Sequence, residues 1–187
     1  DLIESELFGH VKGAFTGATS DRPGLLEEAH KGSLLLDEIT EMPPDLQAKL
    51  LRVLEDRNVR RLGGTRAVPV DFRLISSTNK DPEEAVRDGS LRQDLYFRIN
   101  TVTVEMTPLR EKTQDIPLLA KGFLDRFRFK HSRAVEAIDP EAFRRLLSYS
   151  WPGNVRELEH VIERAVLVAR GRDITAADLP EALNAGV

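Results

Sequence analysis

Apolar positions along the 187-residue chain change their rhythm several times, and each change predicts an element. Leu2 to Phe8 can make two helical turns before Gly9 stops them, and a glycine-rich stretch follows. Ser33-Leu34-Leu35-Leu36 is an unbroken apolar run ended by Asp37-Glu38, which predicts a strand buried on both faces. Leu46, Leu50, Val53 and Leu54 recur at helical spacing behind Pro43-Pro44, predicting an amphipathic helix over 44–56 that needs a sheet to cover. Gly63-Gly64 between short β-prone arms predicts a hairpin within 59–70, and Phe72 to Ser76 a second core strand ending in Ser77-Thr78-Asn79. Short helices over 82–88 and 91–99 then lead to Thr101–Met106, whose strict alternation predicts a third strand.

Beyond Pro108 the pattern is helical alone, which predicts a second, smaller domain with its boundary near 108–114; the two parts are read as 1–110 and 111–187. Ile116, Leu119, Phe123 and Phe127 form one stripe, and Phe143, Leu146 and Leu147 another. For the third helix, Asn154 as N-cap with Glu157 predicts a capping box, and Val155, Leu158, Ile162, Ala165, Val166 and Ala169 supply the stripe. A last helix is expected after Thr175.

Composition narrows the chemistry. With 41% hydrophobic and 31% charged residues the chain is globular, and no apolar run approaches the roughly 20 residues of a membrane span. A cytoplasmic setting is therefore the expectation. Zero cysteines exclude disulfides and thiolate metal sites, so any metal is expected on carboxylates. A net charge of −4 argues against a dominant nucleic-acid surface; Arg57, Arg60, Arg61 and Arg66 read as a solvated hairpin face.

The candidate chemistry sits where strands end. Asp37 and Glu38 close a core strand, the edge at which open α/β sheets bind ligands, and hard carboxylate oxygens suit Mg²⁺. One can hold the metal while the other polarises a water; equally, the pair can simply open a turn. Asn79 closes the neighbouring strand and can hold a water or a phosphate oxygen, although Ser-Thr-Asn also favours turns. Arg92 and Arg98 suit phosphate charge, or surface pairing with Asp94 or Glu84. Arg156 lies in the first turn of a helix, where an anion is favoured, or rests beside Glu157. Gly13-Ala14-Phe15-Thr16-Gly17-Ala18 is either a glycine-rich turn with Phe15 tucked into the core or a presented aromatic.

Taken in order, GAFTGA, GSLLLDE, STN, LRQDLYFRI and WPGNVREL resemble the central AAA+ ATPase domain of the bacterial activators of sigma-54 RNA polymerase, over essentially the whole chain. That resemblance implies a P-loop NTPase-type α/β fold with a parallel sheet, followed by a small all-helical lid. It implies ATP and Mg²⁺ as cofactors, with Gly32, Ser33, Leu34, Leu35, Leu36, Asp37 and Glu38 as the nucleotide-side segment. Asp37 would coordinate Mg²⁺, Glu38 would activate water, and Asn79 would be the first sensor. Arg92 and Arg98 would act in trans on a neighbouring subunit of a hexameric ring, and Arg156 would be the second sensor. Residues 13–18 would contact sigma-54 and couple hydrolysis to promoter opening, and the Gly63-Gly64 hairpin resembles a second pore-side insertion. A regulatory role in transcription, often within two-component signalling, is implied, with DNA bound only through a domain outside this sequence.

The family's Gly-x-x-x-x-Gly-Lys-Ser/Thr phosphate loop occurs nowhere in the 187 residues. The expectation is a fragment lacking its N-terminal strands, inactive alone as an ATPase, marginally stable or self-associating, with Thr101–Met106 separated from the other two strands. A non-enzymatic module binding sigma-54 or companion subunits is the competing reading. A carboxylate-metal hydrolase built on Asp37-Glu38 and a helix-turn-helix from 141–183 explain less, since neither accounts for GAFTGA.

Overall fold

The computed structural model describes residues 2–184, which form two compact units meeting in sequence at Thr103–Val104. In the first unit, α1 (Leu2–Phe8) leads through β1 (Gly9–His10) and the GAFTGA loop to β2 (Arg22–Pro23) and α2 (Leu25–Glu28). Then β3 (Ser33–Leu36) and α3 (Pro44–Asp56) precede the hairpin β4 (Asn58–Arg60)–β5 (Ala67–Pro69) and β6 (Arg73–Ser76). Two short helices follow, α4 (Pro82–Arg87) and α5 (Gln93–Ile99). The central sheet is β3 and β6, parallel, with Ser33 opposite Arg73 and Leu36 opposite Ser76.

The proline-started helix forms as its stripe requires. Leu46, Leu50, Val53 and Leu54 on α3 are buried in one cluster with Leu34, Phe72, Leu91 and Leu95. Each such side chain contributes about 1.5–3 kcal/mol on leaving water, so the stripe is the main anchor of this unit. The helix stops at Arg57, in the left-handed region at φ 54°, whose N–H donates to Val53 O at 2.9 Å.

Two expectations about the sheet fail. Thr101–Met106 is not a strand: Val102, Val104 and Met106 are 82%, 76% and 82% exposed, because alternation alone cannot form a strand without a hydrogen-bonding neighbour. Nor is β3 buried on both faces. Leu34 is buried, but Leu35 and its cross-strand partner Ile75 are 62% and 45% exposed, since α3 and its neighbours cover only one side. An apolar pair on a two-stranded sheet with open edges is expected to drive self-association of this chain. Leu35→Lys should lower the association seen by light scattering at fixed concentration; a wild-type chain that stays monomeric removes the basis for it.

In the second unit, α6 (Ile116–Lys130) packs on α8 (Asn154–Val168), with β7 (Ala137–Ile138) and β8 (Asp173–Ile174) as a short parallel pair. Helices α7 (Pro140–Ser148) and α9 (Glu181–Asn184) complete it, α9 being preceded by a single 3-10 turn that Thr175 and Asp178 cap. Trp151 is fully buried at its centre and donates from Nε1 to Leu146 O at 2.9 Å. The capping box does not form as expected. Gly153 is the N-cap; Glu157 does reach back, accepting from Gly153 N at 2.8 Å, but Asn154 Oδ1 instead accepts from Leu109 N at 2.9 Å. A Cβ at Gly153 would lie 2.8 Å from Glu157 Cβ, so the back-reaching carboxylate and a residue with a side chain compete for one space. Val155 is exposed, and Val161 takes its place in the stripe. Leu147 is likewise at the rim, with Ala142 and Leu146 filling the buried face of α7.

Polar staples tie α6 to α8. Arg126 pairs with Glu159, while Lys130 Nζ and His131 Nε2 lie 2.9 and 2.8 Å from Glu163 Oε1. Hydrogen bonds from Lys130, then His131, hold the Glu163 carboxyl below its usual range. A carboxylate with a depressed folded value stabilises above its unfolded value and loses that contribution as pH falls through the folded one. The staple should therefore weaken below about pH 4.5, the group's ordinary value. Glu163→Gln should flatten the acid limb of the stability–pH curve, as thermal melts between pH 3 and 6 would read, roughly the carboxylate window.

Candidate functional site

Parallel pairing of β3 with β6 brings the segments after them to one edge. Ser77 N donates to Leu36 O at 3.0 Å and Ile39 N to Ser77 O at 3.0 Å, extending the ladder past both strands. Ser77 Oγ donates to Asp37, and the Asn79 N–H donates to Glu38 Oε2 at 3.2 Å. Thr40 and Thr78 hydroxyls meet at 3.1 Å. Glu38 itself sits in the left-handed region at φ 54°, ψ 54°, the sharp turn that sends the chain off the strand. Lys80, 2.8 Å from Glu41, closes the cluster, and that hydrogen bond raises the Lys80 pKa. Asp37, Glu38 and Asn79, singled out separately in the sequence, thus share one corner. Gly32 and Ser33 lie at the far end of the strand, ~16 and ~13 Å from Asp37 at ~3.3 Å per residue; their backbone groups serve the sheet and the preceding turn.

Asp37 is exposed and carries a hydroxyl donor, while Glu38 is half-buried. This corner fits Mg²⁺, which takes one or two carboxylates and fills its other positions with water and phosphate oxygens.

The arginines are held differently from one another. Arg92 makes a bidentate pair with Asp94, Nε–Oδ1 at 3.0 Å and Nη2–Oδ2 at 2.6 Å, and holds the Asp94 carboxyl below its usual range. Arg98 donates instead to Leu54 O at 2.8 Å, at the end of α3. Arg156 is exposed on α8, and Glu157 turns to Gly153 N and to the Tyr149 hydroxyl at 3.1 Å. Of the basic stretch, Arg61 is not a solvated face residue: it pairs in bidentate fashion with Glu27 at 2.7 and 2.8 Å.

Gln47 was missed in the sequence. Fully buried, it donates from Nε2 to Met42 O at 2.8 Å and Ser90 O at 2.7 Å, and its Oε1 accepts from Arg92 N at 2.8 Å. It fixes the backbone on which Arg92 stands. The available signal was a polar residue three positions before Leu50 on the apolar face of α3. Gln47→Leu takes the partner from three part-buried backbone groups, at up to about 1–3 kcal/mol each before water or repacking relieves some of it. A net loss of about 2–3 kcal/mol is expected by denaturant unfolding.

The GAFTGA residues form a loop between β1 and β2. Gly13 and Gly17 take φ 82° and 104°, and Gly13 N donates to Ala18 O at 2.8 Å. Ala18 is buried, whereas Phe15 is 39% exposed and not tucked into the core. The Gly63 turn of the hairpin abuts this loop, where a Cβ would meet Ala14 Cβ at 2.9 Å.

The Sigma-54 interaction domain family matches residues 1–105, and the AAA+ ATPase lid domain family matches 110–187. The Nif-specific regulatory protein of Herbaspirillum seropedicae is 53% identical over 174 residues, covering 93% of this chain and 32% of that protein. Regulatory protein AtoC of Escherichia coli is 51% identical over 179 residues, covering 96% and 39%. Among solved structures, NtrX of Brucella abortus in complex with ADP superposes with a TM-score of 0.86 at 39% identity, covering 97% of this chain and 40% of that one; its complex with ATP gives 0.85 at 38%. The chain thus spans well under half the length of these relatives. It belongs to the Sigma-54 interaction domain family of AAA+ transcriptional activators, with the family's lid domain as its second part.

Proposed function

We propose that this chain is the motor portion of a sigma-54-dependent activator, in which ATP hydrolysis by a ring drives residues 13–18 against sigma-54 to open the promoter complex. The observation that carries the reading is the corner joining Asp37, Glu38, Ser77 and Asn79. Asp37 would hold Mg²⁺, with its free oxygen positions directed by the Ser77 hydroxyl; when bound, the ion supplies neutralisation of phosphate charge. Glu38 orients the attacking water, and the Asn79 N–H fixes the carboxylate that does so. Arg92 and Arg98 serve a neighbouring subunit's nucleotide, with Arg92 leaving Asp94 for phosphate, and Arg156 answers nucleotide from the lid. The solved relative bound to ADP and to ATP supports nucleotide as the ligand.

Hydrolysis needs backbone amides and a lysine around the β- and γ-phosphates, and no Gly-x-x-x-x-Gly-Lys-Ser/Thr loop that would supply them occurs in these 187 residues. Turnover is therefore assigned to a longer protein, assembled as a hexamer in the cytoplasm and bound to DNA through another domain; the 187-residue chain alone should turn over essentially no ATP. The test is sigma-54 retention by such a ring with ATP and without nucleotide. Nucleotide-dependent retention is expected, and retention indifferent to nucleotide favours the non-enzymatic binding module instead.

A further inference from the structure

The neck of the GAFTGA loop is immobilised from three sides. Gly9 and Gly24 face each other so closely that a Cβ on Gly24 would lie 2.3 Å from Gly9 N, and one on Gly9 2.6 Å from Arg22 O. On the other flank Leu62 N donates to Gly9 O at 2.9 Å, and Val11 N to Leu62 O at 3.1 Å. From behind, a 2.8 Å hydrogen bond joins buried Ser5 Oγ on α1 to buried His10 Nδ1. Backbone pairing and this side-chain bond together fix the imidazole's orientation. Phe15 folds back onto it edge-to-face, with centroids 5.1 Å apart at 69°. Beyond the neck, Gly13 and Gly17 have open space around them, and the tip can change shape where the neck cannot.

We infer that His10, oriented by Ser5, is the seat that holds Phe15 against the body of the protein, so that leaving this seat is what presents the aromatic to a partner. His10 is a positioning residue: it acts through Phe15. An edge contact between two rings is weak enough to be exchanged for a partner's surface yet directional enough to define a parked state. The seat itself follows from geometry; its meaning for sigma-54 rests on the function proposed above.

Two measurements test it. The chain has four histidines, so selective ring labelling gives four resolvable environments by NMR. Phe15→Leu should displace the His10 resonance by removing the ring current and leave His30, His131 and His160 in place, and Ser5→Ala should shift His10 likewise. A His10 resonance indifferent to Phe15→Leu overturns the seat. In the longer ring-forming protein, His10→Asn keeps a hydrogen-bonding group for Ser5 but removes the ring edge. Nucleotide-free binding of purified sigma-54 should then tighten several-fold, a gain that simple loss of structure does not produce; unchanged or weaker binding overturns the parked-state role. Ring-current coupling found in a protein that never binds sigma-54 supports the seat and counts against the proposed function.

Discussion

Glu38→Gln is expected to reduce ATP turnover by the ring-forming protein about 10³-fold while leaving nucleotide binding near wild type. The substitution keeps the side chain's shape and retains an oxygen to accept from Asn79 N, so the corner between β3 and β6 should stay as it is. What disappears is the anionic charge that orients and polarises water. Asp37→Asn should differ, weakening nucleotide binding in the presence of Mg²⁺, because there the lost charge belongs to the proposed metal ligand. Steady-state phosphate release and equilibrium nucleotide titration separate the two. A Glu38→Gln protein hydrolysing at the wild-type rate would assign the pair to the turn it also forms, at φ 54°.

The α/β class followed by a helical lid was legible because its signals are local. Proline at the start of α3, a 3.6-residue stripe along it, and glycines in the hairpin each act within a few residues. The failed elements are those decided at a distance. Thr101–Met106 has a strand's alternation but no paired neighbour among the described residues, and Leu35 has a core residue's chemistry yet stays 62% exposed. Asn154 has an N-cap's chemistry, yet the nearby Leu109 N–H claims its side chain. The corner was half legible. Asp37, Glu38 and Asn79 announce themselves as polar residues at the ends of apolar runs, whereas Gln47 reads as one more polar residue on a helix until the backbone groups of Met42, Ser90 and Arg92 close around it.

Phe15→Ala is expected to abolish sigma-54 engagement and leave ATP hydrolysis intact. Phe15 lies on a loop whose neck is locked by Gly9 and Gly24, away from the carboxylate corner in the chain's connectivity and in its hydrogen bonding. Removing its ring subtracts exposed apolar surface at the loop tip without disturbing Ala18, which is buried and accepts Gly13 N. A partner that covers the ring would lose about 2–4 kcal/mol or more of binding energy, a ~30- to 1,000-fold weakening, since buried aromatics dominate interfaces. The decisive measurement is sigma-54 binding and phosphate release, read side by side on wild-type and Phe15→Ala rings. Hydrolysis retained with sigma-54 binding lost is the predicted result; binding that survives the substitution would reduce GAFTGA to a turn and contradict the account.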